Sequence, residues 1–230
     1  MFFEIRELFL LFIIYSIIGW ILEVFYNLIF EDKKKGNRGF LIVPYSPIYG
    51  VGCLLILGLL FRYKSQPVGL FVLSMVICSL LEYITSYVME KLFKARWWDY
   101  SDKRFNINGR ICLETMIPFG IVSCLIIYIV NPFFVSILRE VPGIVLTILF
   151  IVTSIIFIVD IITSFNVVNN FKRTVKKVSL EDKTEDINKY VKDILMKKSF
   201  LYRRLVIAFP RIETKLKVIR NELDKITKKD

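Results

Sequence analysis

Four carboxylates lie where a polypeptide seldom places them. Glu23, Glu82, Glu114 and Asp160 sit inside apolar runs of a 230-residue chain that is 55% hydrophobic. An ionised Asp at the centre of a bilayer costs roughly 2.5–3.5 kcal/mol on an insertion scale, so each of these groups must face protein or water. Their polar companions recur at helical spacing. Ser16, Gly19, Glu23 and Asn27 share one helical face, as do Ser79, Glu82 and Ser86. The chemistry such a set supports is a polar chamber that binds a cation or cationic substrate, or passes a proton. Clustered carboxylates raise one another's pKa, which suits proton coupling. The structural alternative is that Glu23 and Glu82 bond to Ser, Asn or Tyr on neighbouring helices. Glu114 would then pair with Arg38 or Arg110.

A second set lies in one loop: Arg96, Trp97, Trp98, Asp99, Tyr100 and, further on, Arg110. Adjacent tryptophans beside Arg and Tyr fit an interfacial aromatic belt. They also fit a short interfacial helix that docks a cytosolic partner, or a lid over the chamber. Much other chemistry is excluded. The chain has no histidine, which removes His-based triads and His metal sites. Its four cysteines (Cys53, Cys78, Cys112, Cys124) show no CxxC spacing and read as small buried residues. Neither a Walker A sequence nor G-x-S-x-G or H-E-x-x-H occurs. No metal, no cofactor and no enzymatic activity are expected.

The elements that position these residues are membrane spans. Mean hydropathy is +0.57, and apolar runs of about 20 residues, enough to cross roughly 30 Å of hydrocarbon, recur along the chain. Five are expected, at about 8–30, 39–61, 67–89, 111–130 (extending toward 138) and 144–165. The second begins GFLIVPYSPIYGVG, where Pro44 and Pro47 predict kinked or unwound first turns. The fourth is expected to break at Pro118-Phe119-Gly120. The N-terminal residues Glu4, Arg6 and Glu7 lack the basic region of a signal peptide, which predicts a retained first helix. The fold class is therefore all-α: a polytopic domain over 1–165 and a basic cytosolic tail over 166–230.

Charge orients the chain. One side collects Arg6, Arg62, Lys64 and Arg139, and the other collects the remaining 28 Lys/Arg. The positive-inside rule puts the N-terminus outside and the C-terminus in the cytoplasm. At about 1.5 Å per residue, all four carboxylates then fall in the cytoplasmic half of the bilayer. Of the net +11, the tail from Asn166 supplies +9. Beside a membrane such charge reads as orientation and contact with anionic lipid rather than nucleic acid. Within the tail, residues 187–208 and 212–226 carry amphipathic, heptad-like patterns. They predict helices docked on the cytosolic face, or a seam for a partner or a second copy.

Spans one and two also echo spans three and four. Ile21-Leu22-Glu23 matches Leu80-Leu81-Glu82, and Gly39 through Gly50 aligns without gaps to Gly109 through Gly120. Both units cross inward first, so the pattern is a parallel two-helix repeat, an arrangement that places sites at the repeat interface.

Several of these stretches resemble one family. They are Asn37–Leu41 (NRGFL), Pro47–Gly50 (PIYG), Leu81–Glu90 (LEYITSYVME), Arg96–Ser101 (RWWDYS) and Asn106–Glu114 (NINGRICLE). Over about residues 8–165 the chain is similar to the bacterial membrane proteins called "putative ABC-transporter type IV". The resemblance implies a multi-pass, permease-like component of the bacterial cytoplasmic membrane, served by a separate ATPase. The residues themselves also admit a stand-alone cation- or proton-coupled carrier or channel, and a scaffold recruiting a cytosolic partner. A homo-oligomer is compatible with all of these readings.

Overall fold

The computed structural model describes residues 4–30, 41–93 and 98–181. The side chains of Asn27, Phe30, Phe93 and residues 167–181 lie outside that description, as do the amphipathic stretches expected at 187–208 and 212–226. The described chain is built almost wholly from helices: α1 (Ile5–Phe30), α2 (Pro47–Leu60), α3 (Pro67–Phe93), α4 (Leu113–Leu125), α5 (Asn131–Glu140) and α6 (Gly143–Glu181). A 3-10 turn, Phe61–Tyr63, extends α2, and a π-helical turn, Ile126–Val130, joins α4 to α5. Four of the resulting helices are long and apolar enough to cross a membrane: Ile5–Tyr26, Pro67–Leu92, Leu113–Glu140 and Gly143–Asn166. The segment Pro47–Tyr63 is apolar but shorter; its 17 residues reach about 25 Å at the usual helical rise.

The second helix starts late because of its prolines. Residues 41–46 are non-helical, and Pro47 stands at the first helical position, where a missing N–H costs nothing. The Ser46 N–H bonds to the Ser16 carbonyl of α1 (2.9 Å). Pro118 behaves otherwise than expected. Helix α4 runs through it without a break. A proline in the second turn removes one intrahelical bond, to the carbonyl of Glu114, and leaves the rest of the ladder intact. The irregularity comes further along, where the π-helical turn precedes Pro132 and turns Asn131 inward. The buried Asn131 accepts a hydrogen bond from the Tyr15 hydroxyl of α1 (2.9 Å).

Two close approaches set the helix pairs. A Cβ on Gly50 would meet Ser16 and Phe12 of α1, and a Cβ on Gly120 would meet Phe71 and Met75 of α3. The sequence alignment that sets Glu23 on Glu82 also sets Phe12 on Phe71 and Ser16 on Met75. Thus α1 lies on α2, and α3 on α4, through corresponding residues. A core of Leu10, Leu11, Tyr15, Cys53, Ile126, Val135, Leu138 and Leu146 joins α1, α2, α5 and α6. Ile56, Leu60, Leu70 and Ile127 form a second core where α2 meets α3.

Helix α6 packs on α1 through edge-on rings, Phe9 against Phe150 (5.4 Å) and Phe12 against Phe157 (5.3 Å). Most of its apolar surface faces outward. The helix does not end at the expected boundary near Phe165. It continues to Glu181, about 22 Å past Asn166 at 1.5 Å per residue. The beginning of the basic tail is therefore one continuous helix with the last apolar span.

Between α3 and α4 the chain makes a small hairpin that the all-α expectation does not contain. Strands β1 (Asn106–Ile107) and β2 (Ile111–Cys112) pair antiparallel. Asn108 and Gly109 both have positive φ (53° and 66°), and the Arg110 N–H bonds to the Ile107 carbonyl (3.0 Å). Asn-Gly is the pair that such a turn favours, because both central residues must adopt the left-handed region.

Candidate functional site

Glu82 is the most deeply buried glutamate among the described residues, 7% exposed on α3. Its Oε1 accepts a hydrogen bond from the Tyr100 hydroxyl (3.1 Å), and its Oε2 has no partner. Ser79, one turn earlier on the same face, is 2% exposed, and its hydroxyl also has no partner. Thr115 of α4 stands alongside Glu82. Its hydroxyl donates to the Cys112 carbonyl (2.9 Å) and, being rotatable, is shared between that carbonyl and the carboxylate beside it. Tyr49 of α2 packs against Gly19 of α1 and lies near both Glu23 and Glu82. Glu23 in turn accepts from the Ser46 hydroxyl (3.3 Å). The two glutamates that correspond in the sequence alignment thus flank one tyrosine where α1, α2 and α3 meet.

Tyr100 reaches Glu82 because its segment is fastened to α3. The buried Arg110 pairs with Glu90 (2.8 Å) and donates to the Ser86 hydroxyl (3.1 Å). Its guanidinium also lies over the rings of Tyr83 and Tyr87, 5.7 and 5.4 Å from their centres. A buried ion pair holds only when remaining donors are met, and here Ser86 and the ring faces complete the set. The Trp98 indole N–H donates to the Arg110 carbonyl (3.0 Å), and the Tyr100 N–H to the Gly109 carbonyl (2.8 Å). Asn108 donates to the Tyr83 hydroxyl (2.9 Å). Burial first, then the Glu82 charge, push the Tyr100 hydroxyl far above the ordinary tyrosine range. It stays protonated and acts as a donor.

The other two carboxylates lie apart from this cluster. Asp160, 4% exposed on α6, accepts from the N–H groups of Ile42 (2.9 Å) and Val43 (3.0 Å) and from the Ser164 hydroxyl (3.1 Å). Its position has a clear physical basis. Residues 41–46 are irregular backbone, and such backbone is tolerated at membrane depth only where its polar groups are met. Asp160 meets two of them. Glu114 is exposed and pairs with Lys103 (2.7 Å) rather than with Arg110, which is paired with Glu90; Arg38, the other expected partner, lies outside the described residues. That carboxylate raises the Lys103 ammonium above its ordinary range through a hydrogen bond and its charge. Glu114 also stands in the first turn of α4, where the helix dipole favours negative charge.

Of the residues singled out from sequence, Glu23, Ser79 and Glu82 come together, and Ser86 serves Arg110 instead. Trp98 and Tyr100 lie in the docked segment, where Asp99 accepts from the N–H and hydroxyl of Ser101. Arg96, Trp97 and the Asn27 side chain lie outside the described residues. Tyr49, Ser46 and Thr115 were not foreseen as part of the site. Tyr49 carries a signal in hindsight, since it precedes the glycine at which α1 and α2 touch. Among the described residues no group of three His, Cys, Asp or Glu converges as a metal site would require.

A family model described as "Putative ABC-transporter type IV" matches residues 10–165. The chain belongs to that family, and the match takes in every helix and side chain of the site. No curated protein and no solved structure matches the chain.

Proposed function

We propose that this chain is the permease-like membrane component of a transport system energised by a separate ATPase. The observation that carries the reading is the family match over residues 10–165, the same residues that hold the apolar helices and the buried carboxylates. In this reading Pro47–Tyr63 is a fifth span, completed at membrane depth by residues 41–46 under Asp160. The N-terminus is outside, and the membrane is the cytoplasmic membrane of a bacterium. The two helix pairs are parallel repeats, supported by the matched contacts at Gly50 and Gly120. The polar pathway runs between them, past Glu23, Tyr49 and Glu82. The cytosolic partner meets the loops and tail, including the turn just before the hairpin, where Lys103, Arg104 and Phe105 are exposed.

The test is an in-membrane crosslink, followed by pull-down of a tagged full chain and identification of its partners. It is repeated on a chain cut after Glu181, where the described helix ends. A stoichiometric ATPase, weakened by the cut, supports the reading and makes the tail a coupling element. Absence of any ATPase under crosslinking overturns it in favour of a carrier or scaffold.

A further inference from the structure

We propose that Glu82 binds a proton within the membrane, at the meeting of α2, α3, α4 and the segment 98–112. The inference does not depend on an ATPase partner. It starts from an asymmetry in the carboxyl group. One oxygen receives a hydrogen bond from Tyr100; the other is buried and has no hydrogen-bond partner among the described residues. An ionised carboxylate accepts at both oxygens, and leaving one unmet in a buried site costs the desolvation of that charge. A protonated acid suits the same surroundings. Its carbonyl oxygen accepts from Tyr100, and its hydroxyl needs only an acceptor. Ser79, one helical turn earlier on the same face and itself unpartnered, can become that acceptor only through a change of rotamer, since the two atoms make no hydrogen bond as they stand.

Among the described residues, the groups facing Glu82 offer no charge to stabilise the anion. They are Tyr100 from the docked segment, Thr115 from α4, Tyr49 from α2 and Cys78 from its own helix. Glu23 of α1 lies beyond Tyr49 and is itself acidic. Among the described residues the nearby cations are committed elsewhere, Arg110 to Glu90 and Lys103 to Glu114. A metal ion is the poorer occupant. It needs several oxygen ligands at once, whereas Thr115 is engaged with the Cys112 carbonyl and Tyr100 is turned to donate.

The experiment uses the full chain in liposomes and dicyclohexylcarbodiimide, an apolar reagent that modifies protonated carboxyls, with mass spectrometry to locate the adduct. The expected result is an adduct at Glu82 near neutral pH, falling about tenfold per pH unit once the pH exceeds the group's own pKa. Tyr100→Phe removes a hydrogen bond that favours the anion, so labelling should persist to higher pH. Glu82→Gln should lose the adduct. An unmodified Glu82 at every pH, with Glu23 modified in the same sample, overturns the proposal. So does labelling of Glu82 that Na⁺ or K⁺ suppresses at fixed pH and ionic strength, since the site would then hold a metal cation.

Discussion

Replacing Gly50 by alanine tests the packing that brings the site together. The added Cβ would fall 2.5 Å from the Phe12 carbonyl oxygen and closer still to the Ser16 hydroxyl. Neither can retreat cheaply. One is backbone of α1, and the other is tied to that same carbonyl by a 2.7 Å hydrogen bond. Overpacking of this kind costs about 1–3 kcal/mol, and the rigid neighbours put it at the upper end. Alanine returns about 1 kcal/mol of helix propensity. The net loss is then about 2 kcal/mol, which for a chain of this size lowers the melting temperature by about 4–8 °C. Gly58→Ala is the internal control. Nothing lies within 4 Å of its Cβ, so that variant keeps or slightly raises stability. Gly120→Ala should fall between, because the side chains of Phe71 and Met75 can shift. The assay is thermal unfolding in nanodiscs, read by a thiol-reactive dye on the buried Cys53 and Cys112. A Gly50→Ala protein that melts with Gly58→Ala would refute the close approach of α1 and α2.

Arg110→Gln should destabilise the chain, because it removes the largely buried ion pair with Glu90 and the stacking on Tyr83 and Tyr87. Hydrogen exchange should then rise across 98–112, and Glu90→Gln in the same chain should restore part of the loss. Asp160→Asn keeps one strong acceptor where two are used and should cost about 1–3 kcal/mol, with faster amide exchange at Ile42 and Val43. Lys103→Ala should leave the melting temperature unchanged, since its pair with Glu114 is exposed and screened by salt. A marked loss there would mean that the hairpin depends on that pair.

Four of the five expected spans were legible because they rest on composition alone. Their ends were less so. The expected second span began at Gly39, but prolines at 44 and 47 hold off the helix until Pro47. The Asn108-Gly109 turn carried a hairpin signal, yet its strands are only two residues each and leave no readable alternation. Glu114 looked like Glu82 from its apolar flanks. It differs because α4 starts one residue before it, which leaves its side chain outside the packed interior.

The amino-acid sequence by itself determined an apolar, helical, multi-pass chain with carboxylates at defined places along it. Hydropathy and helical period are properties of neighbouring residues, so they need no knowledge of the fold. Which carboxylate is satisfied and which is left open was decided only by tertiary structure. Asp160 finds two of its three donors 117 and 118 residues away, and Glu82 finds one donor in the next loop and, among the described residues, none for its second oxygen. A buried charge is stabilised or not by the few groups within hydrogen-bond reach. Folding selects those groups from remote parts of the chain.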